Sequence, residues 1–119
     1  MPNKKILVLD DDPGIADVIE IILRKNGFDV FSLETKDDIL KTTIRLQPDL
    51  ILLDIWISGR DGREIFKELK AHPKTNTIPI IIISAKNDAS AITTQLGADD
   101  FVAKPFDIDE LVHRVVSHL

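Results

Sequence analysis

Three short apolar runs each end in a residue able to do chemistry, and that pattern constrains this chain more than any other. Ile6-Leu7-Val8-Leu9 runs into Asp10-Asp11-Asp12, Leu50-Ile51-Leu52-Leu53 runs into Asp54, and Ile78 to Ile83 runs into Ser84. A run of apolar residues without alternation suits a strand covered on both faces. Between these runs the apolar positions return at helical spacing. Ile15, Val18, Ile19, Ile22 and Leu23 predict a first helix stopped by Asn26-Gly27. Ile39, Leu40, Thr43 and Ile44 predict a second, closed by Pro48, and Ile65, Phe66 and Leu69 a third. Ala91, Ile92 and Leu96 predict a short fourth helix stopped by Gly97, and Ile108, Leu111, Val112, Val115, Val116 and Leu119 form an apolar stripe on a fifth. Phe28 to Ser32 and Phe101-Val102 read as two further strands. Five strands alternating with five helices predict an α/β fold with a mainly parallel, doubly wound sheet. Crossovers in such a sheet are right-handed, and its functional edge lies at the carboxyl ends of the strands.

Composition removes several function classes. With 119 residues the chain predicts one domain, 1–119, without a separate effector unit. Fifteen basic against twenty acidic residues leave a net charge of −5, which argues against direct nucleic-acid binding and against an anionic membrane surface. The absence of cysteine excludes disulfides, thiolate catalysis and cysteine-based zinc sites. No apolar run approaches the length of a membrane span, and the first residues carry no signal-peptide pattern. A cytoplasmic protein is expected.

Placing the strand ends side by side gathers Asp10, Asp11, Asp12, Asp54, Ser84 and, after the last strand, Lys104-Pro105. Several carboxylates in one cleft repel one another unless something compensates them. A hard cation such as magnesium, which takes one or two carboxylates and leaves room for a phosphoryl oxygen, is the natural partner. A lysine adds a second positive charge, and a serine hydroxyl can donate to a phosphoryl oxygen. Simpler roles compete for some of these residues. Asp12 before Pro13 reads chiefly as a helix N-cap, and Asp61-Gly62 as a turn and cap before the third helix. His72, His113 and His118 show no metal-ligand spacing, and the charges at Lys4, Lys5, Lys67 and Lys70 read as solvated faces.

These residues carry a family resemblance. Ile6 to Pro13, Leu52-Leu53-Asp54-Ile55, Asp61-Gly62, Ser84-Ala85 and Gly97 to Phe106 resemble the receiver domain of bacterial two-component response regulators, in order and along the whole chain. The resemblance implies a flavodoxin-like, CheY-like fold with sheet order 2-1-3-4-5. It implies that Asp54 is the phosphoacceptor, that Asp11 binds magnesium directly and Asp10 through water, and that the Trp56 backbone carbonyl completes the metal sphere. It makes Ser84 and Phe101 the switch residues and Lys104 the phosphoryl-contacting lysine, with a cis bond to Pro105. The implied partner is a sensor histidine kinase or a histidine phosphotransfer protein in a phosphorelay. The implied output is a change in the face made by helix four, strand five and helix five, in a monomer or a phosphorylation-dependent dimer. The chain departs from the family pattern in having Ser58 in the loop after Asp54, a bulky Trp56 beside it, and a short Ser84-to-Lys104 interval that predicts a truncated fourth helix or preceding loop.

Two rival readings stand beside this one. A small haloacid-dehalogenase-like phosphatase would use the Asp10-Asp11-Asp12 pattern, Ser84 and the late acidic pair Asp99-Asp100, but leaves Asp54 idle. A receiver-like interaction module that never takes phosphate would have no use for Asp10, Asp11, Asp54, Ser84 and Lys104 together.

Overall fold

In the computed structural model, residues 3–10, 12–33, 38–57, 60–85 and 88–119 are described, with the backbone alone at 56, 57 and 60. The elements run β1 (Lys5–Leu9), α1 (Pro13–Lys25), β2 (Asp29–Ser32), α2 (Ile39–Leu46), β3 (Leu50–Asp54), β4 (Trp56–Ile57), β5 (Arg60–Asp61), α3 (Gly62–Ala71), β6 (Ile80–Ala85), α4 (Ala89–Leu96), β7 (Asp100–Lys104) and α5 (Ile108–Ser117). The main sheet has the order β2-β1-β3-β6-β7, with every pair parallel. Counting the strands of that sheet in sequence, this is the 2-1-3-4-5 arrangement.

The alternation of side chains along a strand explains why unbroken apolar runs are needed. Leu7, Leu9, Ile51, Leu53, Ile80 and Ile82 face one side, where Ile39 of α2, Ile65, Phe66 and Leu69 of α3 and Ile92 of α4 cover them. Ile6, Val8, Leu50, Leu52, Ile81, Ile83 and Val102 face the other, under Ile19, Ile22 and Leu23 of α1 and Leu111 and Val115 of α5. In the three central strands, each residue of 6–9, 50–53 and 80–83 omitted from one layer belongs to the other. The expected stripe on α5 is wider than its buried seam. Leu111 and Val115 are buried, whereas Ile108, Val116 and Leu119 are exposed, as is Val18 on α1.

Local chemistry sets the element ends. Asp12 caps α1 by accepting from the Gly14 and Ile15 N–H groups, and Pro13 opens the helix. Asn26 caps its C-terminus, and Gly27 follows at φ 88°. The Phe28 N–H turns back to the Leu23 carbonyl, so β2 begins one residue later than the apolar pattern predicts. Ile78 and Pro79 likewise precede β6, since Pro79 has no N–H to give a ladder, although its carbonyl accepts from the Ile51 N–H. Gly97 ends α4 at φ 73°. At eight residues α4 is as short as α2, in keeping with the compressed interval between Ser84 and Lys104.

Three assignments change, the first at Lys5, which is half-buried with its Nζ donating to the Leu46 carbonyl at 3.1 Å. The stretch after Asp54 is not plain loop: Trp56-Ile57 pairs antiparallel with Arg60-Asp61, and Ser58 lies outside the described residues. Lys70 is not merely solvated. Its Nζ donates to the Ile78 carbonyl at 2.9 Å and lies 3.8 Å from Asp99, fastening α3 to the start of β6, because those carbonyls and that carboxylate meet at the amino ends of the strands. The outer strands also carry side-chain guards: Arg24 donates to the Val30 carbonyl of β2, and the Phe101 N–H of β7 donates to the Asp100 carboxylate.

Candidate functional site

Parallel register brings the chemistry to one edge. Leu9 pairs with Leu53 and Asp54 with Ile83, so Asp10 emerges beside Asp54 and Ser84 one step further on. Ser84 in turn pairs with Ala103, which places Lys104 at the same edge. The Lys104–Pro105 bond is cis, as the resemblance implies. A cleft of about 580 Å³ opens here, lined by residues that include Asp12, Ile15, Asp54, Ser84, Lys104 and Pro105.

Lys104 is the hub of the cleft. Its Nζ donates to Asp54 Oδ2 at 3.0 Å and to Asp10 Oδ2 at 3.1 Å. Both acids are buried, the Asp10 side chain completely and the Asp54 side chain to 8% exposure. Burial alone lowers the lysine's affinity for its proton, but the hydrogen bonds and charges of Asp54 and Asp10 outweigh it, so its pKa is raised. The other Asp10 oxygen accepts from the Asp12 N–H at 3.0 Å, which holds the turn out of β1. Ser84 is buried, and its Oγ finds no hydrogen-bond partner among the described residues. A buried hydroxyl without a partner is costly, and here it lines a cleft open to an incoming oxygen.

The other expected site residues fall as follows. Asp11 lies outside the described residues. Trp56 sits in β4, two residues past Asp54, with its backbone paired to Asp61; its side chain is outside the description. Phe101 does not line the cleft. It lies half-buried on β7, opposite Ile82, two pairs before Ser84. Among the described residues no group of three or more His, Cys, Asp or Glu side chains forms a metal nest; the buried acids Asp10 and Asp54 meet at Lys104, and Asp12 stands on the cleft wall. Among the described residues the two buried acids share one ammonium, Lys104, and their oxygens are the donor type that suits a hard divalent cation.

Sequence patterning gives Gly62 only a capping role, and the structure adds another. Its N–H donates to the Ile55 carbonyl at 2.7 Å, and a Cβ there would lie 2.6 Å from the Asp54 carbonyl oxygen and 2.7 Å from Ile55 Cα. The start of α3 therefore presses on the backbone that carries Asp54. Asp61 does cap the helix, accepting from the Arg63 N–H. That bond, more than the Arg63 guanidinium, holds the Asp61 carboxyl below its ordinary pKa. The late acids Asp99 and Asp100 are also placed. Asp99 accepts from the Ile80 N–H, and Asp100 pairs with Arg114 and His118. Neither acid is among the residues lining the cleft, so the pair that a haloacid-dehalogenase-like phosphatase would need is engaged elsewhere.

Comparison with known proteins agrees with this architecture. The family model of the response regulator receiver domain matches residues 6–116. A putative response regulator from Chloroflexus aurantiacus is 34% identical, with a TM-score of 0.91 over 98% of each chain. The receiver domain of a sensor histidine kinase from Pseudomonas aeruginosa, whose structure has a magnesium ion coordinated in the active-site cleft, is 29% identical, with a TM-score of 0.84 over 98% of this chain and 96% of that one. NtrX from Brucella abortus is 30% identical at a TM-score of 0.88, over 99% of this chain and 27% of its own. The chain belongs to the response regulator receiver domain family, and its class of function is phosphoacceptor signalling in two-component systems. None of its described helices is long and apolar enough to cross a membrane.

Proposed function

We propose that residues 1–119 act as one receiver unit that takes a phosphoryl group on Asp54 from a histidine kinase or a histidine phosphotransfer protein. The observation that carries this reading is Lys104, held within 3.1 Å of both Asp54 and Asp10 in the cleft lined by the Ser84 hydroxyl, which has no partner among the described residues. As the Asp54 oxygen bonds to phosphorus and the donor's bond to phosphorus breaks, Lys104 has an oxygen to follow and Ser84 has one to donate to. Phe101 then moves toward the space that Ser84 leaves. The changed surface is the one built from α4, β7 and α5, where a target or a second copy would read it. Asp10, Asp11, Asp54 and the Trp56 carbonyl would hold magnesium, which when bound offsets charge between the carboxylates and the phosphoryl oxygens. The site serves a cytoplasmic signalling step, with no turnover beyond its own phosphotransfer and dephosphorylation.

Intact mass is the test. Acetyl phosphate with magnesium should add one phosphoryl group to the wild type and none to Asp54→Asn. Equal labelling of Asp54→Asn would overturn the assignment.

A further inference from the structure

The switch residue is held from outside the cleft. Phe101 packs with the cluster that includes Ile80, Ile82 and Ile92, on the α4 side of the sheet. Leu111 and Val115 anchor α5 on the opposite side. Arg114, the neighbour of Val115, reaches around the outer edge of β7 between these two layers. Its guanidinium carbon lies 5.3 Å from the centre of the Phe101 ring, inside cation–π range. The guanidinium is fixed by two acids: it forms an ion pair with Asp100 and lies 3.7 Å from Glu110. Asp100 is fixed in turn, since it accepts from the Phe101 N–H at 2.8 Å and meets His118 Nε2 at 2.9 Å. The backbone of Phe101 and its ring are therefore held by one carboxylate–guanidinium pair.

We propose that Arg114 is a positioning residue for the switch, holding Phe101 at the β7 edge in the unphosphorylated protein. The proposal rests on the reading of Asp54 and Ser84 given above, and deepens it by naming what opposes the change. For the ring to move toward Ser84 it must leave the guanidinium. Loss of a cation–π contact at a partly exposed site shifts such an equilibrium about two- to fivefold. The position of the ring and the readiness of Asp54 to accept phosphate are then linked, because whatever favours one conformation favours its partner event.

The experiment labels the protein with 4-fluorophenylalanine and follows fluorine resonances, with Phe101→Leu assigning the Phe101 signal. Arg114→Gln removes the cation at similar size, and Arg114→Lys retains a cation. Without phosphodonor, Arg114→Gln should move the Phe101 signal toward the position it takes in wild type treated with acetyl phosphate and magnesium, while the Phe28, Phe31, Phe66 and Phe106 signals stay in place. Its initial rate of mass gain should rise about two- to fivefold, and Arg114→Lys should restore most of both effects. A Phe101 signal unchanged in Arg114→Gln overturns the proposal, whatever the labelling rate. Absence of mass gain in the wild type would instead sink the phosphoacceptor reading, and the donor-free comparison would still decide whether the arginine holds the ring.

Discussion

One strand, β7, carries opposite charge arrangements at its two ends. At its carboxyl end a single ammonium, Lys104, serves two buried acids, Asp10 and Asp54. At its amino end a single acid, Asp100, serves Arg114 and His118. Among the described residues the first cluster sets one positive charge against two negative ones. The second is engaged from several sides: among the described residues Asp100 accepts from the Phe101 N–H of its own strand, from Arg114 of α5 and from His118 just past it. A cluster of buried acids around one cation is a place for something to arrive, and one acid gripped by its own strand and α5 is a fastening.

The largest expected effect breaks the Lys104 end. Lys104→Met leaves two buried carboxylates without their shared donor, and removing one partner of a buried pair costs about 3–5 kcal/mol. Urea unfolding in chelator should show that loss. Adding magnesium should recover part of it, and combining the change with Asp54→Asn should recover more than half. Equal stability of Lys104→Met and wild type in chelator would mean that the two acids are not in fact repelling one another.

A smaller effect tests whether the frame around the acids matters as much as their charge. In Gly62→Ala the new methyl would meet the Asp54 carbonyl oxygen at 2.6 Å. Overpacking of this kind costs about 1–3 kcal/mol. Labelling of Asp54 should fall more steeply than stability, because the displaced backbone is the one that aims the acceptor. Unchanged labelling would show that α3 can shift without disturbing β3.

The smallest effect sharpens the comparison at the Asp100 end. Burial raises the Asp100 pKa, but hydrogen bonds from His118, the Phe101 N–H and Arg114 outweigh burial and hold it below 3.8. A carboxyl whose folded pKa is depressed contributes stability above its unfolded pKa and loses it as pH falls through the folded value. The stability gap between wild type and Asp100→Asn should therefore be present above about pH 5 and close below about 4. Its size should be about 1 kcal/mol or less for a partly exposed pair. A gap that persists at pH 2 would mean that the carboxylate's charge contributes nothing there.

The sequence reading succeeds wherever one strand can be read by itself. Asp10, Asp54 and Ser84 follow unbroken apolar runs, so their emergence at one sheet edge follows from the run lengths and the parallel order. Asp12, Gly27, Asp61 and Gly97 announce caps through their own side chains or lack of one. What local pattern does not reveal is contact between distant segments. Lys70 with the Ile78 carbonyl, Asp99 with the Ile80 N–H, and Arg114 with Asp100 involve residues that look like ordinary surface charge until the fold joins them. Gly62 is the clearest case: its capping position is visible, whereas its pressure on the Asp54 backbone depends on how α3 returns to β3. The β4–β5 pairing was masked in the same way, since two residues per strand are too few to show a period.

The guards on the two outer strands have a consequence for crowding. A parallel sheet ends in two rims whose outward amides and carbonyls invite a neighbour's strand, the first step toward aggregates. Here Arg24 already occupies the Val30 carbonyl on one rim, and Asp100 occupies the Phe101 amide on the other. Strands of four and five residues have few other outward groups to offer. Two copies meeting in a dense solution thus find the main sheet poorly disposed to grow, and must associate, if they do, by side chains on their helices.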